Sequence, residues 1–223
     1  MDIRDMNEQD IARIIDHHRK NGVIIPLSHG VIIAEDVKIG KNTEILPGTI
    51  IVGDTEIGED CVIGPNSYVS DTVIGNGTLF KASFSEQSVI GSKTRIGPFC
   101  NIRPNSNISD EVKIGDFVEV KNSVIGKKTS VAHLTYVGDS DVGEHCNFGC
   151  GVVTVNYDGK KKYRTVIGDN VFIGCNVNLV APVKVNNNAY IAAGSTITDE
   201  IPENALAIAR SRQTNKENWV KKD

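Results

Sequence analysis

Aliphatic residues recur at every sixth position through most of the chain. Ile33, Ile39, Ile45, Ile51, Ile57, Ile63 and Val69 form one run, Ile90, Ile96, Ile102, Ile108, Ile114 and Val120 a second, and Ile167, Ile173, Leu179, Val185, Ile191 and Ile197 a third. Neither the 3.6-residue period of an amphipathic helix nor the alternation of a lone strand gives this spacing. A parallel β-helix does, because its short strands turn a corner after each hexapeptide and send one aliphatic side chain inward at each step. The pattern therefore predicts an all-β chain, a parallel β-helix of about nine coils. Three steps make one coil, so residues about 18 apart should stack at one strand spacing, roughly 4.8 Å.

Glycine often follows the beat residue, as at Gly40, Gly58, Gly64, Gly75, Gly91, Gly97, Gly115, Gly126, Gly168 and Gly174. It suits a corner that needs an unusual dihedral pair or a close approach to the next coil. The beat shortens by one residue between Val69 and Ile74, Val120 and Ile125, and Val137 and Val142, which reads as tightened corners. Between Thr154 and Ile167 it breaks, and residues 155–165 read as a loop pushed out of the solenoid. The right-handed preference of ordinary parallel crossovers does not fix the hand of such a coil.

Two segments lie outside the beat. Ile11, Ile14, Ile15 and His18 share one face of a helix over residues 7–21, with Asn7 as N-cap and Gly22 as stop. The tail loses the period after Thr198. Both segments can cap the exposed ends of a solenoid. The expected organisation is a helical arm over 1–22, a solenoid over 23–198 and a tail over 199–223.

A 223-residue chain with 39% hydrophobic content is filled by one such solenoid. A formal charge of −4 argues against general nucleic-acid binding, and only Lys160, Lys161 and Lys162 form a basic run. The polar start and the lack of any 18-residue apolar stretch predict a cytoplasmic protein. Five cysteines, Cys61, Cys100, Cys146, Cys150 and Cys175, lack the close pairs of zinc sites and read as buried apolar residues or free thiols. His145, Cys146 and Cys150 are the one metal grouping to weigh. Neighbours on a strand point to opposite faces, which argues against it.

Phase then brings chemistry together. Arg103 and Lys121 each follow a beat residue and are 18 apart, so they should stack. Cations about 5 Å apart repel by roughly 3 kcal/mol at an effective dielectric near 20, and by under about 1 kcal/mol in bulk water. They are either splayed into solvent or share an anion such as a phosphate. His133 lies on the coil after Lys121; it is either structural or a base able to accept a proton near neutral pH. Glu119 and Tyr136 share one phase on successive coils. Cys175 and Ala193 share another, where small side chains either fit a tight corner or leave a trough for a slender ligand.

The segments HLTY, NYDG and ENALAI with QTNKENW, at their separations, resemble the acetyltransferase half of the bacterial bifunctional glucosamine-1-phosphate acetyltransferase / N-acetylglucosamine-1-phosphate uridylyltransferase family. The similarity runs from about residue 20 to residue 219, and IGPFCNIRP resembles the segment before that family's active site. The resemblance implies a left-handed β-helix, a homotrimer with active sites between subunits, and N-acetylation of glucosamine-1-phosphate by acetyl-CoA without a metal. The product would lead toward UDP-N-acetylglucosamine and cell-wall precursors. No Gly-rich nucleotide-binding opening precedes the helix, so acetyl transfer without uridylyl transfer is expected, with a separate uridylyltransferase as a candidate partner.

Carried over by position, His133 is the general base, assisted or oriented by Glu119. Arg103, Lys121 and Lys162 hold the sugar phosphate, and Tyr136 and Asn147 contact the sugar. Asn156, Tyr157, Cys175, Ala193 and Arg210 contact acetyl-CoA. Cys175 departs from the family's usual Ser, Asn105 from a Gly, Asn122 from a second Lys and Cys150 from a common Ala. Other readings of the chain are an acyltransferase for another amino sugar, a metalloenzyme resembling trimeric hexapeptide carbonic anhydrases, and a non-catalytic partner of a separate uridylyltransferase.

Overall fold

The computed structural model of the chain describes residues 6–220. Twenty-nine short strands stack into three parallel sheets of ten, nine and ten strands, the faces of a three-sided prism. Successive strands visit the first, second and third face in turn, as Ile32–Ile33, Lys38–Ile39 and Glu44–Ile45 do at the start. Pairing runs from coil to coil, with Ile32 opposite Ile50 and Ile33 opposite Ile51. Two faces carry ten strands, one more coil than the beat predicts. The difference lies at the C-terminal end, where the tail keeps pairing after Thr198: Leu206–Ala207 lies beside Tyr190–Ile191, and Ile201 bridges Val185.

The beat residues fill the prism. Ile45, Ile51, Ile63, Ile102, Val120 and Ile173 have no exposed surface. A second inward position, two residues before the beat, carries small hydroxyl side chains such as Thr43, Thr55, Thr78 and Thr129. Their hydroxyls donate to corner carbonyls, Thr43 to Gly58 at 2.7 Å and Thr129 to Gly143 at 2.8 Å. Backbone groups that turn away from the strand ladders thus keep partners inside the core.

Glycines after the beat answer the close-approach requirement. At Gly40 and Gly115 a Cβ would meet the next coil's backbone at 2.6 and 1.9 Å. Of the glycines after the beat, Gly64 and Gly97 also have positive φ, and at other corners positive φ falls on residues farther round, among them Asn42, Asn105, Asn122, Asn176 and Asn188. Asparagine tolerates this conformation better than most side chains.

The helix spans Glu8–Lys20 and closes the N-terminal end. Asn7 caps it, its side chain accepting from the backbone of Gln9 and Asp10 while Asp10 reaches back to the Asn7 N–H. Ile14, Ile15 and His18 are buried against the solenoid, and Gly22, at φ +91°, ends the helix. No helix among the described residues is long and apolar enough to cross a membrane.

Candidate functional site

On the first face, Glu119–Lys121 lies between Asn101–Ile102 and Tyr136–Gly138, with Asn101, Glu119 and Tyr136 in register. Val120 points inward, so its neighbours Glu119 and Lys121 project outward. Arg103 follows Ile102 and its backbone N–H donates to the Val120 carbonyl at 2.8 Å, which sets it beside Lys121. Its Nη1 donates to Glu119 Oε1 at 2.7 Å, and that bond raises the guanidinium pKa further. Contact with Lys162 pulls the Lys121 ammonium below the ordinary lysine range; burial and the charge of Arg103 act in the same direction. Three cations thus converge from two coils and the extruded loop.

Asp139 is set against them. It is 5% exposed and lies 3.9 Å from Lys121 Nζ. Asn122 Nδ2 donates to it at 2.5 Å, and Asn156 Nδ2 donates to its other oxygen and to Tyr136 Oη at 3.3 Å. Burial opposes the Asp139 charge. The two amide donors and the ammonium groups of Lys121 and Lys162 outweigh it and keep the carboxyl below its usual range. Tyr136 lies over Gly138, where a Cβ would come within 2.2 Å of the phenol oxygen.

The extruded loop covers 156–164, between Val153–Val155 and Thr165–Ile167. It is a small hairpin, bridged from Tyr157 to Lys162, in which Asp158 accepts from the backbone of Lys160 and Lys161 at 2.8 Å each. Arg164 clamps its end, bonded to both oxygens of Asp141 and to the carbonyls of Asn122 and Ser140. The NYDG motif therefore has a local job, since its turn carries Lys162 back over the first face.

His133 ends the strand Ser130–His133 on the third face, at the corner leading to Tyr136. Its side chain is 55% exposed, and Nδ1 lies 2.8 Å from Asp116 Oδ1. Asp116 stands opposite His133 in the register, and the hydrogen bond from His133 holds its carboxyl below the usual range. The next coils place Cys150, Cys175 and Ala193 in the same column, each two residues after its beat residue. Asn176 N donates to the Cys150 carbonyl and Gly194 N to the Cys175 carbonyl, both at 2.8 Å. Arg210 closes the column, its Cδ 3.8 Å from where a Cβ on Gly194 would sit.

The candidate residues thus form two groups at opposite edges of the first face. Arg103, Lys121, Lys162 and Asn156 gather at one edge and His133, Cys175, Ala193 and Arg210 at the other, while Glu119 and Tyr136 start their strands on the His133 side and reach Arg103 and Asn156 with their side chains. The three-residue strand Tyr136–Gly138 separates them by about 10 Å. Within one protomer, Glu119 accepts from Arg103 rather than touching His133, and Asp116 is the residue in register with the imidazole. Asn156 belongs with Tyr136 and Asp139, at the far end of its strand from Cys175. Tyr157 lies exposed in the loop, and Asn147 projects from the third face between Ser130 and Phe172. Asp116, Asp139 and Arg164 are absent from the motif reading, although Asp116 and Asp139 share their phases with His133 and Asn122.

No cluster of three or more His, Cys, Asp or Glu among the described residues is arranged to hold a metal ion. Cys146 is buried while its neighbour His145 faces out.

Residues 36–71 and 164–199 match the bacterial transferase hexapeptide family (six repeats), and residues 84–157 match the GMPPB C-terminal domain. The chain is 57% identical over 210 residues to the bifunctional protein GlmU of Clostridium kluyveri, covering 94% of this chain and 46% of that protein. It is 60% identical over 208 residues to the GlmU of Caldanaerobacter subterraneus subsp. tengcongensis, covering 93% and 46%. The chain therefore spans about half the length of these relatives, and it resembles their C-terminal acetyltransferase domain. A solved UDP-N-acetylglucosamine acyltransferase shares the fold at a TM-score of 0.53 and 21% identity, over 82% of this chain and 69% of that one.

Proposed function

We propose that this chain is an acetyl-CoA-dependent N-acetyltransferase acting on glucosamine-1-phosphate. The observation that carries the reading is the presence, at the two edges of one three-residue-wide face, of an Asp116–His133 couple and a three-cation cluster. Arg103, Lys121 and Lys162 suit a phosphate monoester, the Arg by its planar fork and the lysines as point charges. Phosphate oxygens between them would relieve the repulsion that lowers the Lys121 pKa. Asp139, through Asn156 and Tyr136, fixes the polar floor on which the sugar ring would lie.

His133 then accepts a proton from the 2-amino group as the nitrogen attacks the thioester carbonyl. Asp116 holds Nδ1, leaving Nε2 as the acceptor. A tetrahedral intermediate collapses, the C–S bond breaks, and the thiol of coenzyme A leaves with a proton. The corner of Cys175, Ala193 and Arg210 would carry the slender arm of the coenzyme, with Arg210 placed for a phosphate.

Both halves of the site lie open on one protomer. Beside His133 runs an exposed apolar stripe, Phe99 (60%), Phe117 (55%) and Leu134 (60%), in which the two rings stack at 5.4 Å. Such a stripe favours burial against a second copy of the chain, and a trimer of three-sided prisms would cover it and close the cleft.

A thiol-release assay with acetyl-CoA and glucosamine-1-phosphate tests the reading. Turnover is expected, lower by about 10²- to 10⁴-fold in His133→Ala. A folded chain that releases no thiol, or that prefers an unphosphorylated amino sugar, contradicts it.

A further inference from the structure

The five cysteines divide by their phase in the repeat. Cys61, Cys100 and Cys146 stand two residues before the inward beat, where Ser and Thr usually sit, and are buried. Their thiols lie against corner carbonyls, Cys61 to Gly75 at 3.2 Å, Cys100 to Gly115 at 2.7 Å and Cys146 to Gly168 at 3.0 Å. Burial pushes all three thiols up, Cys100 to about 11. Cys150 and Cys175 stand two residues after the beat, on the outer corner, and neither is buried.

These two outward cysteines face each other across one coil. Phe148 pairs with Ile173, and Asn176 N donates to the Cys150 carbonyl at 2.8 Å, which puts Cys150 and Cys175 opposite each other in the parallel register. A Cβ on Gly149 would lie 2.5 Å from the Cys175 nitrogen, so the coils are in close contact here. One strand spacing separates the two Cα atoms by about 4.8 Å. Bridged cysteines span roughly 4.4–6.8 Å. Residues of one phase also leave the corner in the same direction, so the two thiols need only rotate about χ1 to meet.

We propose that Cys150 and Cys175 form a reversible oxidation site, closing a disulfide between adjacent coils when the chain meets a hydroperoxide. One thiolate attacks the peroxide oxygen, giving a sulfenic acid and releasing water or an alcohol. The second thiolate displaces the sulfenic oxygen, which leaves as water, and the S–S bond forms. Two thiols are oxidised by two electrons, and one peroxide O–O bond is reduced. The solenoid holds the partners at one spacing before oxidation, so the resolving step needs no rearrangement of the chain. One consequence rests on the proposed acetyl transfer: the bridge lies between His133 and Ala193, along the corner assigned to the acetyl-bearing arm, and would shut that arm out.

The test uses the whole reduced chain, treated with a few equivalents of hydrogen peroxide, blocked with N-ethylmaleimide and digested without reductant. Mass spectrometry should find one linked peptide pair joining Cys150 to Cys175, lost on dithiothreitol treatment, with Cys61, Cys100 and Cys146 unmodified until the chain is unfolded. A sulfinic acid on Cys175 beside a free Cys150, or links scattered over all five cysteines, would overturn the proposal. Cys150→Ser should leave Cys175 without its resolving partner and divert it to over-oxidation that dithiothreitol does not reverse. Protection of Cys175 in that variant equal to that in the parent also counts against the pair. In the activity arm each protein is compared with itself before and after peroxide; the bridged chain should lose at least tenfold of its acetyl transfer and regain it on reduction. Full activity in a quantitatively bridged chain would strike the position given to the coenzyme, a failure of the functional reading that the peptide result keeps separate.

Discussion

Two carboxylates that no motif singles out hold the candidate site in shape. The carboxyl of Asp116 bonds the imidazole of His133 at 2.8 Å, so its effect should fall on the chemical step. Asp116→Asn is expected to lower kcat by about tenfold or more, less than the loss in His133→Ala, while the KM values for both substrates stay near those of the parent. A change confined to KM would remove Asp116 from that role. Lys121→Ala should do the reverse. Losing one charge-assisted contact of about 1.5–3 kcal/mol raises the KM for the sugar phosphate by roughly ten- to a hundredfold. An unchanged KM for the sugar phosphate, measured beside an unchanged KM for acetyl-CoA, would show that the cations bind something else.

At the scale of elements, corners and caps carry the strain and the pH dependence. Gly115 has an ordinary φ, so a side chain there fails on space alone: a Cβ would press on the Ala132 carbonyl at 1.9 Å. Gly115→Ala should cost about 1–3 kcal/mol, read as an earlier thermal or urea transition. Because Asp116 is the next residue, turnover should fall as well. The helical cap responds to acid through His18, which is 5% exposed. Burial, with a smaller push from His17, lowers its pKa. The unfolded chain then takes up the proton first, so the full stability of the cap holds above about pH 6.5 and is lost as pH falls toward the lowered folded value. Hydrogen exchange of Glu8–Lys20 should accelerate, relative to intrinsic rates, between pH 7.5 and 5.5, and His18→Leu should remove the dependence. Identical protection at both pH values would refute this origin.

For the whole molecule, the open edge of the first face and its apolar stripe set the expectation. Light scattering should give a particle of three chains, and Leu134→Asp should shift it toward monomers that keep their β-rich circular dichroism and lose acetyl transfer together with assembly. An active monomer would mean that one protomer holds a complete site.

Much of the architecture was legible before any coordinates, because the rule that makes it is local. A hexapeptide that buries one aliphatic side chain and turns a corner imposes the same inward and outward choice at every coil, so Arg103 beside Lys121 and Glu119 beside Tyr136 could be read by counting. Counting also separates the buried cysteines from the outward pair, once the second inward position is recognised. Asp116 can be counted against His133 in the same way, since each stands two residues after a beat residue, but its bond to the imidazole is set by side-chain geometry. The convergence of Lys162, Asn156 and Asp139 depends on a loop that leaves the period and returns to a distant coil. Sequence by itself determined the period, the interior and the stacking of like phases, since each follows from the chemistry of six residues at a time. Tertiary structure alone decided which charges meet across a face, because those meetings sum the turns of many coils and the reach of flexible side chains.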